Sequence, residues 1–100
     1  MIKENNTFKD FPASGILKIP KEFQAILALH TGRRVDIFYE EKMIFVRREN
    51  PKSFHNKRLI SEKGYLKIPK EILDIVNVTE KDYYCMYLDE HNRQLVVEVQ

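Results

Sequence analysis

A nine-residue phrase occurs twice in this chain. It reads Gly-Ile-Leu-Lys-Ile-Pro-Lys-Glu-Phe over residues 15–23 and Gly-Tyr-Leu-Lys-Ile-Pro-Lys-Glu-Ile over residues 64–72. The copies are 49 residues apart, and the stretches that follow them also run in parallel. An internal repeat constrains the architecture of a chain more strongly than its other sequence features do. It divides the chain into repeat 1 (1–49), a short linker (50–52) and repeat 2 (53–100).

A unit of about fifty residues is marginal for an independent hydrophobic core. We therefore expect residues 1–100 to fold as a single pseudo-dimeric domain. The composition, 43% hydrophobic and 32% charged with 3 glycines and 4 prolines, argues against a disordered or fibrous chain. The sole cysteine, Cys85, cannot form an internal disulfide, no apolar run approaches the roughly twenty residues that span a bilayer, and the first residues lack an apolar signal core. We expect a cytoplasmic protein without membrane contact.

Each repeat carries the patterns of two strands, a helix and two further strands. In repeat 1 a strand candidate at 7–11 precedes a turn at Gly15 and an extended piece at 17–19 that ends at a proline. Pro20 suits the first position of a helix, and Glu22 in its first turn complements the helix dipole. The predicted order is β-β-α-β-β.

Repeat 2 predicts the same helix, opened by Pro69 and closed by Asn77, which readily adopts a left-handed conformation. The apolar positions at helical spacing are Phe23, Ile26, Leu27, Ile72, Ile75 and Val76. Two strands follow each helix, and the candidates are residues 34–39, 43–48, 83–88 and 94–99, with polar turns at 40–42 and 89–93.

These features resemble the AbrB/SpoVT/MazE-type swapped-hairpin DNA-binding domain. That family shows a glycine, an apolar extended piece, Ile-Pro-Lys-Glu-Ile, a short helix, and a hairpin entered through Gly-Asp. The matching residues are Gly15, Ile19, Pro20, Lys21, Glu22, Phe23, Leu29 and Gly32, then Gly64, Ile68, Pro69, Lys70, Glu71, Ile72, Val78 and Asp82. The resemblance covers nearly the whole chain, and two copies in the same setting are more specific than one Ile-Pro-Lys-Glu.

Members of that family commonly form homodimers whose chains interleave their hairpins into one small barrel. The resemblance therefore implies a mainly β fold with short helices, in which two β-β-α-β-β repeats form one pseudo-twofold swapped-hairpin barrel. Closure of the strands would hide the sheet edges. The core side chains expected from the pattern are Leu17, Ile19, Val35, Ile37, Leu66, Ile68, Tyr84 and Met86.

The resemblance also implies a transcriptional regulator that binds double-stranded DNA. The chain departs from the family where arginines are common, and the residues found there are Ile16, Gln24, Tyr65 and Leu73. The basic residues that remain in the motif are Lys18, Lys21, Lys67 and Lys70. Lysines neutralise phosphates but give less of the bidentate guanine readout that arginine provides, so we expect modest sequence specificity.

The arginines lie outside the motif. Those that would widen a DNA contact are Arg33, Arg34, Arg47, Arg48 and Arg58. Charge is divided unevenly, since residues 1–70 carry fifteen basic and eight acidic side chains and residues 71–100 carry two and seven. Such asymmetry can steer a polyanion to one face. An ordinary solvated surface is the alternative for all these lysines and arginines.

No catalytic residue, metal site or cofactor is predicted. His30, His55 and His91 lack metal-ligand spacing, and the chain has no glycine-rich phosphate loop. The aromatic residues alternate along strands as core or half-buried residues do, which argues against a stacking platform for unpaired bases; they are Phe38, Phe45, Tyr84 and Tyr87. Tyr65 is the exception, since it occupies a turn position.

A protein-interaction module is the alternative function. It would be an antagonist of a related regulator, a phage-type inhibitor or an antitoxin-like protein that uses the same fold. The missing family arginines favour it, as does an acidic second hairpin with Glu80, Asp82, Asp89, Glu90 and Glu98. MazE-type antitoxins usually have a tail beyond the barrel, so the antitoxin version is less favoured. The preferred prediction is a DNA-binding regulator, either a monomeric pseudo-dimer or a homo-oligomer.

Overall fold

The fold is mainly β, with two short helices and antiparallel sheets. The computed structural model describes residues 2–3, 8–79 and 81–100. In chain order the elements are β1 (Ile2–Lys3), β2 (Lys9–Asp10), β3 (Ile16–Lys18), α1 (Lys21–Leu27), β4 (Arg34–Glu40), β5 (Met43–Arg48), β6 (Asn56–Leu59), β7 (Tyr65–Lys67), α2 (Lys70–Val76), β8 (Tyr83–Asp89) and β9 (Gln94–Val99). Each helix has seven residues, and neither could cross a membrane.

The predicted hairpin strands are confirmed to within one residue at each end, because alternation of apolar and polar residues and the polar turns between them are both strong signals. Repeat 2 has the predicted order β-β-α-β-β. In repeat 1 the strand expected at 7–11 is shorter, Lys9–Asp10, and its first residue lies outside the described residues. Repeat 1 also has the additional strand β1.

The two helices begin one residue later than predicted. Pro20 has φ −56° and ψ 140°, so it caps α1 rather than occupying its first position, and Pro69 does the same for α2. A cap residue has extended backbone while its carbonyl already accepts a helical hydrogen bond, here from the backbone N–H of Gln24 at 3.0 Å. The predicted acidic residues, Glu22 and Glu71, do lie in the first turns.

The helices end in the left-handed conformation. Asn77 ends α2 with φ 62°, as predicted, because asparagine tolerates this region. At the equivalent position of α1 stands Ala28, with φ 55°. A hydrogen bond of 2.8 Å from the Leu29 N–H to the Gln24 carbonyl closes the helix there. Alanine has no intrinsic preference for this conformation, so the sequence alone did not indicate it.

Seven strands form one antiparallel sheet, in the order β1-β8-β9-β5-β4-β6, with β2 also paired to β8. The remaining strands, β3 and β7, form a separate two-stranded ribbon. Among the described residues the order of the large sheet is open, with β6 at one end and β1 and β2 at the other, so these pairings do not form the closed barrel that was expected. Strands of the two repeats pair with each other at β5–β9, β2–β8, β4–β6 and β3–β7.

One hydrophobic core joins the two repeats. All eight core residues predicted from the sequence are buried. The helices add Phe23, Leu27, Ile72 and Val76 to the same cluster. Helix α1 packs against β9 of the other repeat and α2 packs against β4, so each helix covers the partner repeat's hairpin. Burial of apolar surface is the main driving force of folding, so neither repeat would retain this core alone.

Two glycines let the repeats approach closely. The Ile19 N–H donates to the Gly64 carbonyl and the Ile68 N–H donates to the Gly15 carbonyl, each at 2.9 Å. Gly15 has φ 74° and Gly64 has φ 84°, a region that side chains rarely adopt. A Cβ at Gly64 would lie 2.6 Å from Nε2 of Gln24, which itself donates to the Ile19 carbonyl at 2.8 Å. The backbone conformation therefore favours glycine at this position, and a larger residue would also displace the Gln24 side chain.

We predict that Gly64→Ala destabilises the protein more than Gly32→Ala does. Gly32 has φ 77° but an added Cβ there meets no described atom within 4 Å, so its cost is the backbone strain alone, roughly 1–2 kcal/mol. Gly64→Ala adds displacement of Gln24 and loss of its hydrogen bond, roughly 1 kcal/mol more. Urea unfolding of both variants measures the difference. Equal losses would show that Gln24 moves aside at no cost.

Candidate nucleic-acid interface

The ribbon of β3 and β7 carries two of the predicted lysines on one exposed face. Leu17 pairs with Leu66 at its centre, and both are buried. Successive side chains of a strand point to opposite faces, so the residues on either side of these leucines point outward. The exposed pairs are Lys18 opposite Tyr65 and Lys67 opposite Ile16. The ribbon thus has an apolar inner face and an outer face with two cations.

The other two lysines, Lys21 and Lys70, are the first residues of α1 and α2 and are exposed. Together with the ribbon lysines they line two grooves, each built from both repeats. The first groove, of about 340 Å³, is lined by Lys18, Lys21 and Gln24 of repeat 1 and by Glu62, Lys63 and Tyr65 of repeat 2, with Thr31 and Gly64 at its margin. The second groove, of about 350 Å³, is lined by Lys67, Lys70, Leu73 and Asp74 of repeat 2 and by Ala13 and Ser14 of repeat 1, with Ile68, Val78 and Thr79 beside them.

Among the described residues, no carboxylate forms an ion pair with any of these four lysines. Within residues 8–79 and 81–100, the ion pairs are Arg34 with Glu49 and Lys57 with Asp36. Lys18 instead places Nζ 5.6 Å from the centroid of the Tyr65 ring. A cation over an aromatic face is attracted by the ring quadrupole while staying accessible to solvent. The lysines are thus available to an external anion.

Two of the predicted arginines are already engaged within the protein. Nη2 of Arg34 lies 2.7 Å from a carboxylate oxygen of Glu49. Arg47 donates from Nε to Gln94 at 2.8 Å, and its guanidinium carbon lies 4.8 Å from the centroid of the Phe38 ring. Both side chains therefore have partners within the protein, although both remain exposed. They are poorer candidates for a DNA contact than their sequence position indicated.

The other predicted arginines lie at the β4–β5–β6 end of the sheet. Arg33 and Arg48 line a cavity of about 150 Å³ together with His30 and the Arg34–Glu49 pair. Arg58 is exposed and donates to the backbone carbonyl of Lys57. None of these arginines lines either lysine groove. Thr31 lines the first groove and His30 lines the arginine cavity, so the two surfaces are neighbours at one loop.

A buried carboxylate that the sequence did not single out organises the linker. Asp36 is 2% exposed, and it accepts hydrogen bonds from Lys57, from the Ser53 hydroxyl at 2.7 Å and from the Asn50 N–H at 3.1 Å. Burial raises the pKa of Asp36, but these hydrogen bonds, led by that of Lys57, lower it by more, so the net pKa lies below the ordinary value of 3.8. Asp36 alternates with the core residues Val35 and Ile37, and the segment that covers its opposite face is a tertiary feature.

The acidic second hairpin has internal partners. Asp82 accepts from the Thr79 N–H, Asp89 accepts from the side chains of Asn92 and Gln94, and Glu98 accepts from the Tyr87 hydroxyl at 3.2 Å. Glu90 is exposed, and Glu80 lies outside the described residues. These carboxylates are therefore less available to a protein partner than the sequence indicated.

The histidines and the cysteine lie apart from one another. His55 stacks on Phe38 with ring centroids 4.4 Å apart, His30 lines the arginine cavity, and Cys85 is buried in β8. Within the part of the chain that the structure describes, no group of three or more His, Cys, Asp or Glu residues is placed to hold a metal ion. Phe38 and Tyr87 are half-buried, and Phe45 and Tyr84 are buried, as the alternation predicted.

Comparison of the chain with protein-family models, with curated proteins and with solved structures found no match.

We predict that the stability of the protein falls in acid partly through Asp36. Its lowered folded-state pKa contributes stability that is complete above pH 3.8 and is lost as the pH falls through the folded pKa. The Asp36→Asn variant lacks this contribution, so its free energy of unfolding should change less between pH 6 and pH 3 than that of the wild-type protein. At neutral pH the variant should be destabilised by roughly 1–3 kcal/mol, because Lys57 loses its charged partner.

Urea unfolding over this pH range tests the assignment, with Glu90→Gln as the control because it removes one exposed carboxylate. The control should keep the wild-type pH dependence. If Asp36→Asn also keeps it, the acid sensitivity comes from other carboxylates.

Proposed function

We propose that this chain is an AbrB-like transcriptional regulator that binds double-stranded DNA through a symmetric basic face. The observation that carries the proposal is the placement of Lys18 and Lys67 on the outer face of the ribbon, with Lys21 and Lys70 three residues further along each repeat. All four are exposed. Exposed cations at equivalent positions of the two repeats can neutralise the phosphates of a nucleic-acid backbone.

We also propose a pseudo-twofold swapped-hairpin arrangement of the two repeats. Leu17 pairs with Leu66, its equivalent 49 residues on, as a local twofold axis requires. Val46 likewise pairs with Leu95, its equivalent 49 residues on, between β5 and β9. The short strand β2 pairs with β8 of repeat 2, while its counterpart β6 pairs with β4 of repeat 1. Each of these strands thus pairs with a strand of the other repeat, and this reciprocal exchange supports the proposed arrangement.

The mechanism would be occupancy of a promoter rather than chemistry. Lysine ammonium groups neutralise phosphates and release condensed counterions, which supplies affinity without reading the bases. Arg33, Arg48 and Arg58 would widen the contact, whereas Arg34 and Arg47 would contribute less because they hold Glu49 and Gln94. The protein would act in the cytoplasm, and modest sequence specificity follows from the use of lysines.

We predict that replacing Lys18 and Lys67 together by alanine weakens DNA binding across all duplex sequences. Two fewer phosphate contacts should reduce the slope of log affinity against log salt by roughly 1.8. The measurement is fluorescence anisotropy of a labelled duplex over a salt series, with unlabelled duplexes of unrelated sequence as competitors. The side chains are exposed, so thermal unfolding should be unchanged.

Lys42→Ala with Lys52→Ala is the matched control, because it removes two exposed lysines that line neither groove. It lowers the net charge equally but should have a smaller effect on the slope. If both double variants lose the same affinity, binding reflects net charge and the proposed face is wrong. If the wild-type protein does not bind duplex DNA at low salt, a protein-interaction module becomes the better hypothesis for its function.

A further inference from the structure

The two lysine grooves occupy equivalent places in the repeats but differ in charge. Positions 49 residues apart correspond, so Lys18 and Lys21 match Lys67 and Lys70. Around these shared lysines the grooves diverge. The first groove has Lys63 where the second has Ser14, and Gln24 where the second has Leu73. The helix position equivalent to Asp74, which lines the second groove, is Ala25 in the first repeat.

The loops after the helices extend this difference. Thr79 lines the second groove, and its N–H donates to the Asp82 carboxylate at 2.7 Å, so a second carboxylate lies beside that groove. The position equivalent to Asp82 in repeat 1 is Arg33, two residues after the lining residue Thr31. Lys81, which is exposed, is not among the residues that line the second groove. Among the described residues that line the first groove, Glu62 is acidic and Lys18, Lys21 and Lys63 are basic.

The two lysines of the ribbon also have different cross-strand neighbours. Lys18 stands opposite Tyr65 and lies over its ring, whereas Lys67 stands opposite Ile16. The ring restrains the Lys18 side chain near the first groove, and an aliphatic residue offers no such attraction to Lys67. A restrained ammonium group loses less conformational entropy when it binds a phosphate. The larger positive charge and the restrained Lys18 side chain therefore both favour phosphate binding at the first groove.

We infer that the two halves of the proposed DNA face are unequal and that the first groove is its principal phosphate-binding site. This inference rests on the proposed function and deepens it. A homodimer must present the same surface in both halves, whereas two repeats in one chain are free to differ. The preferred target is accordingly a duplex that is held mainly at one of the two half-sites, without the requirement for a palindrome.

Equivalent double variants test the inference. Lys18→Ala with Lys21→Ala acts on the first groove, and Lys67→Ala with Lys70→Ala acts on the second, so each removes two exposed lysines at matching positions. The probe is a labelled mixed-sequence duplex followed by fluorescence anisotropy at two salt concentrations. We expect the first double variant to lose at least about threefold more affinity than the second, with a larger drop in salt dependence.

Equal losses in the two double variants would overturn the inference while leaving the proposed function intact. A greater loss from the second pair would also overturn it. If the wild-type protein does not bind the duplex at low salt, the proposed function and the inference both fail. Circular dichroism melts of all variants establish that the comparison is made between folded proteins.

An exchange at the ribbon provides an independent measurement. Tyr65→Ile gives Lys18 the neighbour that Lys67 has, and Ile16→Tyr does the reverse. We expect Tyr65→Ile to weaken duplex binding by about twofold or more, Tyr65→Phe to weaken it less because the aromatic ring is kept, and Ile16→Tyr to strengthen it. If Tyr65→Ile binds the duplex as tightly as the wild type does, the Tyr65 ring does not favour binding at the first groove, and the inference is contradicted.

Discussion

The crossing of the two repeats at the ribbon is the contact on which the rest of the structure depends. Leu17 meets Leu66 on the buried side, and the Ile19 and Ile68 N–H groups donate to the carbonyls of Gly64 and Gly15. These bonds join residues far apart in sequence, and they fix the register of β3 against β7. Because the period of a strand is two, a slip of one residue would turn both leucines outward and both lysines inward. The hydrophobic core and the cationic surface are therefore set by one register.

That register also explains why exposed lysines can be arranged so regularly. The strand places Lys18 and Lys67 outward, and the proline that follows ends each strand and caps a helix whose first residue is again a lysine. Neither the strand nor the helix needs these ammonium groups for packing, since all four are exposed. Identical lysines in both copies are thus not explained by the core. Contact with an external polyanion gives them a physical reason, which is why the proposed function begins from them.

Local patterns predicted much of this fold, and tertiary contacts account for what they missed. The hairpin strands followed from alternation, and Asn77 from its tolerance of the left-handed region. Ala28 takes the same conformation only because the chain around it is fixed by packing and by hydrogen bonds across the end of the helix. Asp36 lies between two core positions of strand β4, but Asn50 of the linker and Ser53 at the start of repeat 2 cover it and donate to it. No local pattern indicates which carboxylate a linker will cover.

Local sequence patterns were also insufficient to show which basic residues of the candidate site are available to a ligand. Sequence reasoning placed lysines and arginines in one basic face, because charge alone does not say which side chains are already occupied. The structure separates them, since Arg34 holds Glu49 and Arg47 reaches Gln94 of the other repeat, while the groove lysines have no carboxylate partner among the described residues. Most residues that differ between the grooves lie at exposed positions, whereas Gln24 and Leu73 are half-buried. Lys63 and Ser14 are exposed turn residues, and Ile16 and Tyr65 are the exposed pair that differs within the repeated phrase. The core therefore constrains the two halves to match at the crossing and leaves their outer rims free to acquire different charge.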